Sequence, residues 1–323
     1  MKINEMVHNY FKKIKSKRFL KKSAILYSGF LKSGTYNILK QNNCIILESE
    51  SFENLKLIKG YFDSSNSGKS IVIKSNGNCD YTAMLVCGND SSFKFFDFKT
   101  KCILTIFTKA NDLEVFLSTR PECFPGSTIL DVDREHLIVK ENLIVDESHS
   151  EKEKFISLVK FENNFLPIEN CVFELGKFEK TGDCRKSIIE RFHKYFLKEK
   201  LDISAIPICY QHGDAWSANV FLSNGSLKFI DFDRVGHYPV LFDPFLFAYT
   251  EGFFKKNNSI VDSWLNGEFD SLFNFNDKNL INNSKAMFVF NCYVMLLMRH
   301  ETKGDYKISD EIIHYLESIG VVL

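Results

Sequence analysis

The sequence predicts an α+β chain in two lobes, strand-rich first and helix-rich second. Three observations carry this expectation. Short apolar runs alternate with Asn, Ser and Gly up to about residue 145, helical spacing takes over beyond about 150, and an acidic, polar stretch at 146–153 marks the change. The expected divisions are a basic segment over 1–35, a strand-rich lobe over 36–148 and a helical lobe over 149–323.

Composition supports a packed core. The 323 residues are 45% hydrophobic and 25% charged, which excludes global disorder. Forty-one basic residues balance forty-one acidic ones, which argues against a general polyanion binder, so no nucleic-acid partner is expected. The 32 Phe are read as core filling rather than as an aromatic binding surface. Nine cysteines, an odd number with no CxxC pair, suggest neither a disulfide framework nor a zinc site. They fit a reducing, cytoplasmic setting. No leader with an early apolar stretch is visible, and the most apolar run, Ala286 to Met298, is too short to cross a bilayer.

Taken in order, residues 1–35 bring together Lys12, Lys13, Lys15, Lys17, Arg18, Lys21 and Lys22 with Phe11, Ile14, Phe19 and Leu20, and no acid stands between positions 6 and 47. Such a segment suits peripheral contact with an anionic membrane face, and equally a solvated helix or loose tail. Residues 35–80 read as exposed strands. Within them Asn66-Ser67-Gly68-Lys69-Ser70 mimics the end of a phosphate-cradling loop, but Asp63 occupies the place of its first glycine, so that reading is rejected. Tyr81 to Cys87, Phe93 to Phe98 and Cys102 to Phe107 form a meander joined by turns at Gly88 to Ser92 and Lys99 to Lys101. A helix capped by Asn111 or Asp112 is expected to Thr119, stopped by Pro121 and Pro125, with strands around Ser127 to Leu130 and Leu137 to Val145. Further helices are expected from Asp183 (Ile188, Phe192, Tyr195 and Phe196 on one face), over Phe245 to Phe254, Ile260 to Leu265, Ala286 to Met298 and Ser309 to Ser318.

The chemistry concentrates in His212-Gly213-Asp214-Ala215-Trp216-Ser217-Ala218-Asn219, followed eleven residues later by Ile230-Asp231-Phe232-Asp233. Asp214 is suited to orient a hydroxyl and accept its proton. Asn219 offers an amide oxygen to magnesium without adding charge, and Asp231 follows the expected strand Leu227 to Ile230, whose burial fixes the carboxylate at its tip to bridge metal and phosphates. Asp233 reads either as a further metal or water ligand or as a solvated carboxylate. Gly213 permits a tight turn, and His212 reads as a packing strut.

This pattern resembles the catalytic loop and metal-binding segment of the aminoglycoside phosphotransferase and choline kinase family. Gly236 to Pro244 is similar to the segment that in that family ends in a buried structural aspartate, here Asp243. The resemblance covers roughly residues 80–300. It implies a bilobal protein-kinase-like fold using ATP or GTP with Mg2+. It also implies a nucleotide-positioning turn with Ser91 and Ser92, and a hinge along Leu137 to Val145 with Glu141 and Asn142 midway. One departure stands out: Thr105 occupies the third-strand position where the family carries a phosphate-holding lysine. Lys94, Lys101 or Lys109 are the candidates to replace it, with Glu114 as helix partner.

The implied activity is transfer of phosphate to a hydroxyl of a small molecule or sugar. The acids of the helical lobe (Glu251, Asp262, Glu268, Asp270, Asp277) are offset by Lys255, Lys256, Lys278 and Lys285, which gives no vote for a cationic aminoglycoside. The basic segment leans toward an acceptor at the inner membrane face, such as a lipid-linked or surface-polysaccharide sugar. The alternative is a catalytically silent kinase-like nucleotide-binding module, which rests on Thr105.

Overall fold

The structure, a computed structural model, describes residues 28–40, 44–48, 65–75, 81–86, 92–147, 150–165, 183–273, 284–303 and 307–323. Most of the basic segment, and the turn from Cys87 to Ser91, lie outside them. The chain divides into two compact units, one comprising the described residues up to Glu147 with Phe221–Ile230, the other 148–220 with 231–323.

The first unit is built on one antiparallel sheet of eight strands: β1 (Gly34–Lys40), β2 (Cys44–Glu48), β3 (Ser65–Ile73), β4 (Ala83–Val86), β5 (Ser92–Asp97), β6 (Cys102–Phe107), β7 (Ile129–Asp133) and β8 (Ile138–Asn142). Their order is β3-β1-β2-β4-β5-β6-β8-β7. The period-two alternation sorts side chains to opposite faces. Phe93 and Phe95 pack with Tyr36, Met84 and Ile106 on one face. Phe96 packs with Ala83, Leu85, Ile103 and Leu143 on the other. Helix α1 (Ala110–Ser118) lies against the sheet through Leu113, Phe116 and Leu117, which meet Phe107 and Val139.

The sequence reading needs several corrections here. Lys109 is the N-cap residue of helix α1 and makes no side-chain cap, so neither Asn111 nor Asp112 caps it; Asp112 sits in its first turn instead. Ser92 is not in the turn but opens β5 with its side chain buried, paired with Phe107. Asn66 to Ser70 lie on β3, hydrogen-bonded along β1 (Asn37 opposite Ser70), which agrees with rejecting the phosphate loop. The strand expected over Ser127 to Leu130 runs later, as β7.

The second unit holds α2 (Glu151–Glu162), α3 (Asp183–Lys198), the strands β9 (Ile208–Gln211) and β12 (Gly236–Pro239), α4 (Phe242–Phe253), α5 (Ser259–Leu265), α6 (Ser284–Lys303) and α7 (Lys307–Ser318). Helix α3 begins at the expected Asp183. Helix α2 was not anticipated: its charges hid the pattern, yet Ser150 and Glu153 form a reciprocal capping box. The core is aromatic. Phe155 packs on Phe247, Trp264 and Phe269, and Trp264 reaches Phe288. Phe192 stacks on Tyr293 at 4.9 Å. Among the described residues no helix is long and apolar enough to cross a membrane.

The hairpin of β10 (Val220–Ser223) and β11 (Ser226–Phe229) interrupts the second unit in sequence; β11 falls on the expected strand Leu227 to Ile230, while β10 was not anticipated. Asn224 and Gly225 both take positive φ (51° and 69°), as a tight two-residue hairpin turn requires. Within the first unit it is tied to the segment after β8: the Glu147 amide donates to the Leu222 carbonyl at 2.9 Å, and the Asn224 amide to the Glu147 carboxylate at 2.6 Å.

Candidate active site

The loop 212–219 issues from β9, which pairs antiparallel with β12, Gln211 opposite Gly236. Its first turn is held by Asp243, near the start of α4. The Asp243 carboxylate accepts from the His212 amide at 2.6 Å and the Gly213 amide at 2.8 Å. Burial pushes the Asp243 carboxyl upward from its ordinary range, opposed by those two amides and by a hydrogen bond with the Glu162 side chain, while the charge of Asp214 adds to the upward push. Gln211, fully buried, completes the brace: its Oε1 accepts from the Asp243 amide at 2.9 Å and its Nε2 donates to the Pro239 carbonyl at 2.6 Å.

Gly213 has φ +76°, and a Cβ there would come within 2.3 Å of the Arg234 carbonyl oxygen and 2.5 Å of the Tyr238 ring. Only glycine fits. Tyr238 closes the same turn, donating to the Arg234 carbonyl at 2.6 Å and stacking on Phe242 at 4.7 Å. His212 is fully buried with its ring against Phe232.

Asp214 is half-buried and Asn219 buried. The structure brings these two together: Asn219 Nδ2 donates to Asp214 Oδ2 at 3.2 Å and to the Asp214 carbonyl at 3.0 Å. With its nitrogen turned to Asp214, the amide of Asn219 has its oxygen left for a cation. Asp231, exposed, takes φ +65°, an uncommon left-handed conformation for a non-glycine residue and of the sort stored at functional positions. Asp233, two residues on, is exposed. Among the described residues no three His, Cys, Asp or Glu side chains gather into a ready-made metal cage. That donor set of an amide oxygen and carboxylates fits magnesium, which is held through few protein oxygens plus substrate phosphates.

Two features of the loop were not seen in the sequence. Ser217, buried, accepts from the Lys255 ammonium at 2.7 Å, and Lys255 pairs with the buried Glu251 carboxylate at 2.7 Å. Lys255 and Glu251 stand one helical turn apart, the only signal available, and it says nothing of a partner 38 residues away.

The residues expected on the nucleotide side fall within the first unit. Thr105 is fully buried on β6, and Lys94 stands directly opposite it on β5. The Lys94 ammonium lies 3.4 Å from Thr105 Oγ1 and 5.6 Å from the centre of the Phe116 ring. Lys101 and Lys109 are exposed, each four residues from Thr105, about 13 Å along an extended strand, and do not reach it. Glu114 does not partner Lys94: its carboxylate faces solvent and pairs with Arg134 at 3.0 Å. Glu141 is buried, its carboxylate held by Arg120 and Ser127. The backbone of Glu141 and Asn142 is engaged in the sheet, with Cys102 and Ile103 on one side and Ile129 and Thr128 on the other. After β8 the amides of Leu143 and Glu147 are engaged as well, with the Lys101 and Leu222 carbonyls. Ser91 falls outside the described residues.

Residues 173–272, which include Asp214, Asn219, Asp231, Asp233 and Asp243, match the model of a phosphotransferase enzyme family. That stretch, about a third of the chain, is therefore similar to this family. None of the curated proteins compared with the sequence matches it. Among solved structures, the chain is similar to a choline/ethanolamine kinase family protein from Mesorhizobium loti, at 12% identity over 71% of this chain and 85% of that one, with a TM-score of 0.39. It is also similar to a choline kinase from Streptococcus pneumoniae, at 13% identity over 72% and 90%, TM-score 0.38. A third is an amicoumacin kinase in complex with AMP-PNP and Ca2+, at 13% identity over 71% and 84%, TM-score 0.40.

Proposed function

We propose that the protein is an ATP- and Mg2+-dependent phosphotransferase whose acceptor is a hydroxyl of a small molecule or sugar. The observation that carries this reading is the hydrogen-bonded pair of Asp214 and Asn219 on a loop whose amides are fixed by buried Asp243. In this reading Asp214 orients the acceptor hydroxyl and takes its proton as the phosphoryl group leaves the nucleotide. Asn219, through its amide oxygen, and Asp231 hold the metal, with Asp233 as a further ligand. The metal, when bound, neutralises charge on the phosphates. On the nucleotide side, this reading keeps Ser91 and Ser92 as candidates for the phosphates and the backbone around Glu141 and Asn142 as the candidate for the base. The setting is cytoplasmic, and the basic N-terminal segment favours an acceptor at a membrane surface, such as a lipid-linked sugar.

The test is a screen of sugars, amino alcohols and aminoglycosides with purified protein and Mg·ATP, read as ADP release. Asp214→Ala is expected to lower turnover on any acceptor found by about 10²–10⁴-fold while nucleotide affinity stays close to wild type. Full turnover by Asp214→Ala would refute the assignment. A second reading, a silent nucleotide-binding module, is favoured by one observation: β6 carries Thr105 and no lysine. It requires thermal stabilisation by nucleotide that persists in chelator, with no ADP release on any acceptor.

A further inference from the structure

Two cations flank the ring of Phe116 on the helix-bearing face of the sheet. Arg120 lies 4.3 Å from the ring centre and is neutralised by the buried Glu141 carboxylate. Lys94, 5.6 Å from the same ring, has no such neutralisation. Its ammonium meets the neutral Thr105 hydroxyl at 3.4 Å, and among the described residues no carboxylate pairs with it. The side chain is half-buried, so part of its hydration is lost. A partly desolvated ammonium without a counter-ion is unfavourable until an anion arrives.

Register explains how it comes to be there. Leu85, Lys94, Thr105 and Val139 form a row of directly opposed residues across β4, β5, β6 and β8, and opposed residues project to the same face. A lysine on β5 therefore presents its charge beside the β6 position held by Thr105. Thr105, small and fully buried, leaves room for the longer side chain and supplies a hydroxyl to steady it. A second lysine at 105 would set two ammonium groups side by side, and like charges in such a place repel.

We infer that Lys94 is the phosphate-binding lysine of this protein, presented from β5 to the site beside Thr105 and contacting the polyphosphate of the nucleotide. The inference rests on the nucleotide reading given above. It also makes the Phe116–Arg120–Glu141–Ser127 cluster, rather than Glu114, the support of that site: Arg120 and Glu141 neutralise each other and fix the ring on which Lys94 lies. The silent-module reading loses its ground, because the β6 threonine no longer means that the lysine is missing.

The experiment is calorimetric titration of the full chain with Mg·ATP, Mg·ADP and adenosine, alongside ADP release. Lys94→Met keeps the aliphatic stem over Phe116 and removes the charge. It is expected to melt within a degree or two of wild type, to weaken Mg·ATP and Mg·ADP by about tenfold or more, and to leave adenosine within about twofold. The exchange Lys94→Thr/Thr105→Lys is expected to recover most of the lost Mg·ATP affinity. Mg·ATP binding by Lys94→Met within twofold of wild type, or equal losses for ATP and adenosine, would overturn the inference. A folded exchange variant no better than Lys94→Met would overturn the equivalence of the two positions. Wild-type protein that binds neither ATP nor ADP would instead sink the nucleotide reading itself, so the two failures are told apart.

Discussion

Gly213 shows how sharply one position can be specified. Its φ of +76° is accessible to glycine at no steric cost, and the space where a side chain would begin is filled by the Arg234 carbonyl and the Tyr238 ring. Gly225 has a similar φ of +69° but nothing within 4 Å. The pair separates backbone strain from steric exclusion. Gly225→Ala should cost about 1 kcal/mol and leave activity intact, while Gly213→Ala should cost about 2–4 kcal/mol and reduce phosphate transfer, since the turn carries Asp214. Urea unfolding of both variants checks this; equal losses would show that the Gly213 pocket yields freely. At Asp231 the strained conformation serves a carboxylate instead, and asparagine there would keep the backbone preference while losing the charge.

At the scale of elements, the loop 212–219 is rigid because it is braced from outside itself. Asp243 and Gln211 come from α4 and β9, and together they satisfy main-chain groups that would otherwise be buried without partners. Helix α2 makes a simpler case. Ser150 Oγ accepts from the Glu153 amide at 3.2 Å and Glu153 Oε2 accepts from the Ser150 amide at 2.9 Å. Ser150→Ala should destabilise by about 1 kcal/mol, seen as a lower denaturation midpoint with an unchanged m-value. Because α2 also supplies Glu162, whose side chain opposes the upward push on the Asp243 carboxyl, damage to this helix should be felt at Asp243 as well.

For the whole molecule, pH and metal are the informative variables. The folded-state pKa of Asp243 is raised by burial above the ordinary carboxyl value of 3.8. The folded protein therefore holds this proton more tightly than the unfolded chain does. The contribution to stability is complete below the ordinary value and is lost as pH rises through the raised folded one. Denaturant stability followed from about pH 4 to pH 8 should carry a downward component that is absent in Asp243→Asn, even though that variant is weaker throughout. A wild-type slope identical to that of Asp243→Asn would contradict it. Removing magnesium should abolish most of the thermal stabilisation by ATP, which at one hundred times Kd amounts to about 2.7 kcal/mol, and Asp231→Ala should behave as though magnesium were already absent.

By itself the sequence determined the α+β class and most strands and helices, and it set Asp214 and Asn219 on one short loop. Those features follow from local periodicity and from residues a few positions apart, as with Asp214 and Asn219. Its local reading failed where charge masked an amphipathic helix, as in α2, and where a cap was inferred for α1 from residue type alone. The tertiary structure decided what depends on register and on distant partners. It set Lys94 opposite Thr105, gave Glu114 to Arg134 and Glu141 to Arg120, and joined Lys255 to Ser217. The reason is physical: strand pairing and side-chain reach fix which charges meet, and neither is encoded in spacing along the chain. That β6 carries Thr105 and no lysine is written in the sequence; that Lys94 stands directly opposite it is decided by the register of the sheet.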